Sequence, residues 1–89
     1  MTSPHMIQNV SLRDLNPGQS ATIVRVGGPS ALRRRFVEMG FVPGEVIHVE
    51  RVAPLGDPVA FRIKGYRLSL RREEAAVIEV TLETPDSYA

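Results

Sequence analysis

Three consecutive arginines, Arg33, Arg34 and Arg35, form the longest run of like charge in this sequence. Guanidinium groups in a row grip phosphate backbones, and such a run is one signature of nucleic-acid binding. The solvated side of an amphipathic helix looks the same in sequence. The other groups with chemical potential are few. His48 is a lone histidine in an apolar stretch, the ordinary setting of a structural histidine. His5 sits in "SPHM", where the "HM" step is common at expression-vector junctions. Glu73 and Glu74 are adjacent, so they diverge on a helical turn. No set of two histidines and one carboxylate has ligand spacing, so no metal is expected. The chain has no cysteine, which removes disulfides, thiolate metal sites and thiol nucleophiles together. It has no glycine-rich phosphate loop, and Ser30 and His48 make no nucleophile–base motif. No cofactor and no enzymatic activity are expected.

Composition bounds the reading. The chain has 89 residues, 43% hydrophobic, with 11 basic and 10 acidic side chains and a formal net charge of +1. That length fits one small domain, and that balance is low for a dedicated nucleic-acid binder. No stretch approaches the roughly 18 apolar residues that span a bilayer. "MTSPHMIQNV" has neither the basic n-region nor the apolar core of a signal peptide. A cytoplasmic location without membrane insertion is the expectation.

Glycines and prolines cut the chain into short elements that must position these groups. "SLRDL" opens with a Ser11–Asp14 capping-box spacing over one turn that buries Leu12 and Leu15. "SATIVRV" is rich in β-branched residues. Its apolar phase changes between Ile23 and Val24, the mark of a bulge or of two partly buried faces. Ser30 is the expected N-cap of a helix over Ala31–Met39, with Leu32, Phe36 and Met39 in one stripe. Gly40 and Pro43 stop it. "EVIHVERV" is a second strand. "VAFRIK" alternates most cleanly, "YRLSLR" turns Leu68 and Leu70 inward, and "REEAA" is one helical turn. "VIEVTL" closes with Ile78, Val80 and Leu82 inward. About five short strands at this spacing, with a helix after the first, predict an all-β, small closed or half-closed barrel.

Against the helix stripe, Arg34 projects nearly opposite while Arg33 and Arg35 flank it, their stems over its edges. Glu38 lies four residues from Arg34 and is a candidate partner. The leading reading is thus the wet face of an amphipathic helix. Docking of a protein comes next and nucleic acid last. Two details favour docking over phosphate. Arg33 and Arg34 lie near the helix start, where the dipole disfavours cations. Val37 sits among them, and an apolar residue ringed by arginines suits a protein contact. Leu55, at the tip of "PLGDP", either folds back or serves as an anchor stiffened by prolines. Asp57 is expected to close that turn. Phe41 and Tyr66 are read first as core, with Tyr66 also a candidate for partner surface.

Read in order, "LNPGQSATIVRV", "ALRRRFVEMGFVPGE" and "VERVAPLGDPVAFRIKGYRLSLRREEAAVIEV" resemble the FeoA family, small cytoplasmic accessories of bacterial ferrous iron uptake. The likeness runs from Leu12 to Val80. Its most specific part is "RVAPLGDP" followed by "GYRLSLRREEA". The resemblance implies an SH3-like β-barrel with a short helix inserted after the first strand. It also implies a partner, the membrane ferrous iron transporter with its cytoplasmic GTP-binding domain. The same module resembles the C-terminal SH3-like domain of iron-dependent repressors, but the sequence shows no helix-turn-helix pattern ahead of the barrel.

The expected organisation is a disordered or tag-derived stretch over 1–8, an SH3-like domain over 9–82 and a flexible tail over 83–89. The expected function is non-catalytic docking on the transporter's cytoplasmic region, modulating transport or its GTPase. Arg33, Arg34, Val37, Leu55 and Tyr66 are the candidate partner-binding residues. The alternative is a nucleic-acid-binding or iron-responsive regulatory barrel using Arg33, Arg34, Arg35, Arg71 and Arg72, its affinity falling steeply with salt. Weak self-association through open edge strands is a third reading.

Overall fold

The computed structural model describes the backbone of residues 5–85 and the side chains of residues 9–82. Six antiparallel strands form one curled sheet: β1 (His5–Ser11), β2 (Ser20–Val26), β3 (Val46–Val52), β4 (Val59–Ile63), β5 (Tyr66–Leu70) and β6 (Ile78–Pro85). A 3-10 turn over Leu12–Asp14 follows β1. Helix α1 (Ser30–Glu38) lies between β2 and β3, and the short α2 (Arg72–Ala75) lies between β5 and β6. The lateral order is β1-β6-β2-β3-β4-β5. The last strand therefore inserts between the first two, and β1 and β5 are the edges. Within the described residues, no helix is long and apolar enough to cross a membrane.

Six strands replace the expected five. The additional one, β1, draws on the stretch 1–8 that was set outside the fold. His5–Ser11 pairs with β6 from His5↔Pro85 to Ser11↔Glu79. The reason is the position of β6. With β2 on one side, its other edge presents free N–H and C=O groups, and an extended stretch satisfies them. The same pairing carries residues 83–85 into β6. The remaining parts of the two flanking stretches, 1–4 and 86–89, lie outside the described residues.

Two bulges curl the sheet. In β2 the register to β6 shifts between Ile23 and Arg25, where the sequence changes phase. In β3 the register to β4 shifts between Val49 and Arg51. Each extra residue bends its strand and increases its twist, which rolls a short sheet toward a barrel. Glu50, the extra residue of β3, forms ion pairs with Arg62 Nη2 on β4 at 2.7 Å and with Arg67 Nη2 on β5 at 3.3 Å. One carboxylate thus spans three strands on the outer face.

Leu12, Ile23, Phe36, Phe41, Ile47, Phe61, Ile63, Leu70, Ile78 and Val80 are fully buried, and among the described residues no polar or charged side chain joins them. β4 alternates as its sequence predicts, with Val59, Phe61 and Ile63 inward. Leu68 is half-buried, and Leu70 is inside. Ser11 accepts from the Arg13 amide and donates to the Ala76 carbonyl at 3.0 Å, so the Leu12 turn is tied to the end of α2.

Candidate functional site

α1 begins one residue earlier than expected. Pro29 is its N-cap, extended at φ −60° and ψ 152°, and it makes no side-chain capping bond. Ser30 is therefore the first helical residue. Its hydroxyl accepts from Arg33 Nη2 at 3.3 Å instead of capping the helix. At the other end Gly40 adopts φ +97°, donating to the Val37 carbonyl at 3.0 Å, while Phe41 N–H reaches Phe36 O at 2.9 Å. This is the Schellman stop, whose usual hydrophobic contact is here the Phe36–Phe41 ring pair at 5.4 Å. The motif anchors both rings in the core, and that fixes the azimuth of every other residue on α1.

The azimuth divides the arginine run. Arg35 turns to Glu74 of α2, Nη2 to Oε2 at 3.3 Å. Arg33 and Arg34 instead line an open groove of about 540 Å³ together with Arg25, Val26, Ser30, Val37, Phe41 and Pro43. The expected Arg34–Glu38 pair does not form, and among the described residues neither Arg33 nor Arg34 has a carboxylate at ion-pairing distance. The order Arg–Glu at this spacing is the weaker one, which explains its absence. Val37 is 53% exposed beside the two arginines. Arg25, just past the β2 bulge, is held by its cross-strand partner Glu79 at 3.3 Å.

Leu55 and Tyr66 lie outside this groove. Leu55 is 96% exposed at the β3–β4 tip and does not fold back. The tip itself is anchored, with Gly56 N–H to Ala53 O at 2.7 Å and Ala53 N–H to Pro58 O at 3.0 Å. The Asp57 side chain, expected to close its own turn, makes its hydrogen bond outside it. Its Oδ1 accepts from the Arg72 amide at 2.8 Å, fixing the tip to the start of α2. Glu74 then accepts from the Arg71 amide at 2.9 Å and also meets Arg35. Tyr66 is not core. It is 45% exposed, and its hydroxyl donates to the Met39 carbonyl at the end of α1. Phe41, by contrast, is fully buried.

His48 faces outward on β3 and pairs through Nδ1 with the Ser20 hydroxyl, its register partner on β2. The described residues contain no cluster of three or more His, Cys, Asp or Glu arranged to hold a metal ion.

The family model for the FeoA domain matches residues 10–82. The chain belongs to the FeoA family. A Porphyromonas gingivalis fusion of Fe(2+) transport protein A with the Fe(2+) transporter FeoB is 55% identical over 71 residues. That alignment covers 80% of this chain and 8% of the fusion protein. Among solved structures, a FeoA-like protein from Clostridium acetobutylicum superposes with a TM-score of 0.79 at 36% identity, covering 86% of this chain and 90% of that one. A Stenotrophomonas maltophilia FeoA complexed with zinc, described as a prokaryotic SH3 domain protein, gives 0.71 at 31% identity, covering 80% and 88%. The SH3-like barrel read from this FeoA sequence is the observed fold.

Sequence reasoning brought together Arg33, Arg34 and Val37 in this FeoA domain, but not Arg25, Val26 and Pro43. Those three reach the groove only through pairing of β2 and the turn after α1. The phase change at Ile23–Val24 was the one local signal, since a bulge re-aims the residue that follows it.

Proposed function

We propose that this chain is a non-catalytic accessory of ferrous iron uptake. It docks on the cytoplasmic region of the membrane ferrous iron transporter and modulates transport or its GTPase. One observation carries the reading: a relative 55% identical to this domain is joined covalently to an Fe(2+) transporter. Covalent joining holds two modules at high effective concentration, the arrangement expected when the separate modules also meet. Arg33, Arg34 and Val37 on the groove, Leu55 at the tip and Tyr66 beside the end of α1 are the contact residues of this reading.

The test is calorimetry of this protein against the purified cytoplasmic region of the matching transporter. It is run with and without guanine nucleotide, at low and moderate salt, with a DNA duplex as the control ligand. Binding to the transporter region alone supports docking. Salt-sensitive binding to the duplex alone overturns it in favour of the nucleic-acid alternative. Within a binding pair, Leu55→Asp is expected to weaken affinity with an unchanged fold, because Leu55 contributes nothing to the interior.

A further inference from the structure

The groove beside α1 is built for a particular class of ligand. Its lining has three guanidinium groups, Arg25, Arg33 and Arg34, the Ser30 hydroxyl, and four apolar residues, Val26, Val37, Phe41 and Pro43. Among the described residues no carboxylate lines it. Two acids close to it are already engaged: Glu79 holds Arg25 from its cross-strand position, and Glu74 pairs with Arg35. The groove is therefore basic at its rim in a molecule whose net charge is only +1. Such local concentration of one sign around an apolar centre is the pattern of a complementary docking site.

The two halves of the lining select against simpler ligands. A phosphate backbone would pair with the arginines and leave Val26, Val37 and Pro43 covered by nothing apolar. A purely apolar segment would leave Arg33 and Arg34 without carboxylate partners. An acidic segment carrying one large apolar side chain satisfies both halves at once. Arg33 and Arg34 are set for this. Val37 lies four residues from one and three from the other, so it neighbours both on the helix surface. Arg25 approaches from β2, across the groove from α1, and remains 73% exposed although ion-paired. A carboxylate in the groove meets guanidinium groups from two elements.

We propose that this groove binds an acidic partner segment with an apolar anchor, the anchor on Val37, Val26 and Pro43 and its flanking carboxylates on Arg25, Arg33 and Arg34. The proposal deepens the docking function above and rests on it for the identity of the partner, but its chemistry is testable alone. A second class of anionic ligand, the headgroup surface of an anionic membrane, enters as a competing outcome.

The probe is a fluorescent peptide in which one phenylalanine is flanked on both sides by aspartates and glutamates. Its control replaces the acids with lysines, and a second control replaces the phenylalanine with serine. The expected result is saturable binding of the acidic phenylalanine peptide only. Amide shifts should be centred on Arg25, Ser30, Arg33, Arg34 and Val37. Arg34→Glu is expected to weaken this binding at least about tenfold, because it places like charge against the ligand. Val37→Asp should do the same, while Leu55→Asp leaves it unchanged. Both groove variants replace exposed side chains, and an unchanged circular dichroism spectrum and Tm verify that they fold.

Equal binding of the serine control shows a non-specific charge effect and overturns the proposal. So does binding to anionic phosphatidylglycerol vesicles with no saturable peptide binding. The transporter's cytoplasmic region is titrated in parallel. If it binds wild type and both groove variants equally, docking stands and the groove is the wrong place. If the acidic peptide binds and the transporter region does not, the groove chemistry stands and the assigned partner fails.

Discussion

Tyr66 offers the sharpest check on how the docking face is held in place. Its hydroxyl donates to the carbonyl of Met39, the residue that ends α1. The last carbonyls of a helix lack intrahelical partners, so this bond anchors the end of α1 to β5, 27 residues away in sequence. Tyr66→Phe removes only the hydroxyl. The freed carbonyl is near the surface and takes up water, so the loss is that of one net hydrogen bond, about 1 kcal/mol. For a domain of this size that lowers Tm by roughly 4–8 °C. Tyr66→Ala also loses ring burial. The ring is 45% exposed, so about 100 Å² of it is covered, worth about 2.5 kcal/mol more. Thermal and urea unfolding of the two variants give the ordering, and amide exchange at Gly40 reads the local effect. The expected outcome is a modest global loss for Tyr66→Phe together with faster exchange at the end of α1. A Tyr66→Phe protein with the Tm and Gly40 exchange of wild type refutes the reasoning and returns Tyr66 to the free surface.

Substitutions at three further residues test the polar links between tip and helices and the stop of α1. Glu74→Gln keeps an acceptor for the Arg71 amide and loses only the surface ion pair with Arg35, so urea unfolding should show a cost below about 1 kcal/mol. Glu74→Ala loses both and should cost about 1–2 kcal/mol. Asp57→Ala leaves the Arg72 amide without its 2.8 Å partner and is expected to destabilise by about 1.5 kcal/mol. Asp57→Asn, which retains an acceptor oxygen, recovers most of that loss in the same assay. Gly40→Ala forces a side chain into φ +97°, with its Cβ 3.4 Å from Cδ and Cε of Lys64. It should cost at least about 1–2 kcal/mol and lower Tm accordingly, read by thermal unfolding.

The elements of this domain were legible because each carries its own local signal. Alternation in "VAFRI" needs no partner to say which face is buried, and the observed β4 buries Val59, Phe61 and Ile63. The Gly40 stop and the Leu32–Phe36–Met39 stripe likewise belong to α1 alone. The Ile23–Val24 phase change marked the β2 bulge, since a strand can keep its apolar residues inside only by adding a residue where its pattern slips. Other expectations differ from the structure. More than half of β1 falls in the stretch 1–8 expected outside the fold, because its pairing with the free edge of β6, 68 to 80 positions away in sequence, leaves no local signal. Pro29, extended in backbone, is the N-cap in place of Ser30, which is already helical. The Ser30 hydroxyl is then spent on Arg33.

For the candidate site the division is the same. The arginine run and Val37 were visible as one helix face. The Schellman stop orients that face, and Glu74, brought up by α2, draws Arg35 out of the run. Arg25 on β2 and Pro43 after α1 complete the groove, and only the sheet order brings them there. Local chemistry in the sequence determined which elements form and which of their faces are apolar. Tertiary packing decided which arginines share a groove. A groove's charge is a property of side chains from separate elements, and their proximity is set by long-range strand pairing that no local pattern encodes.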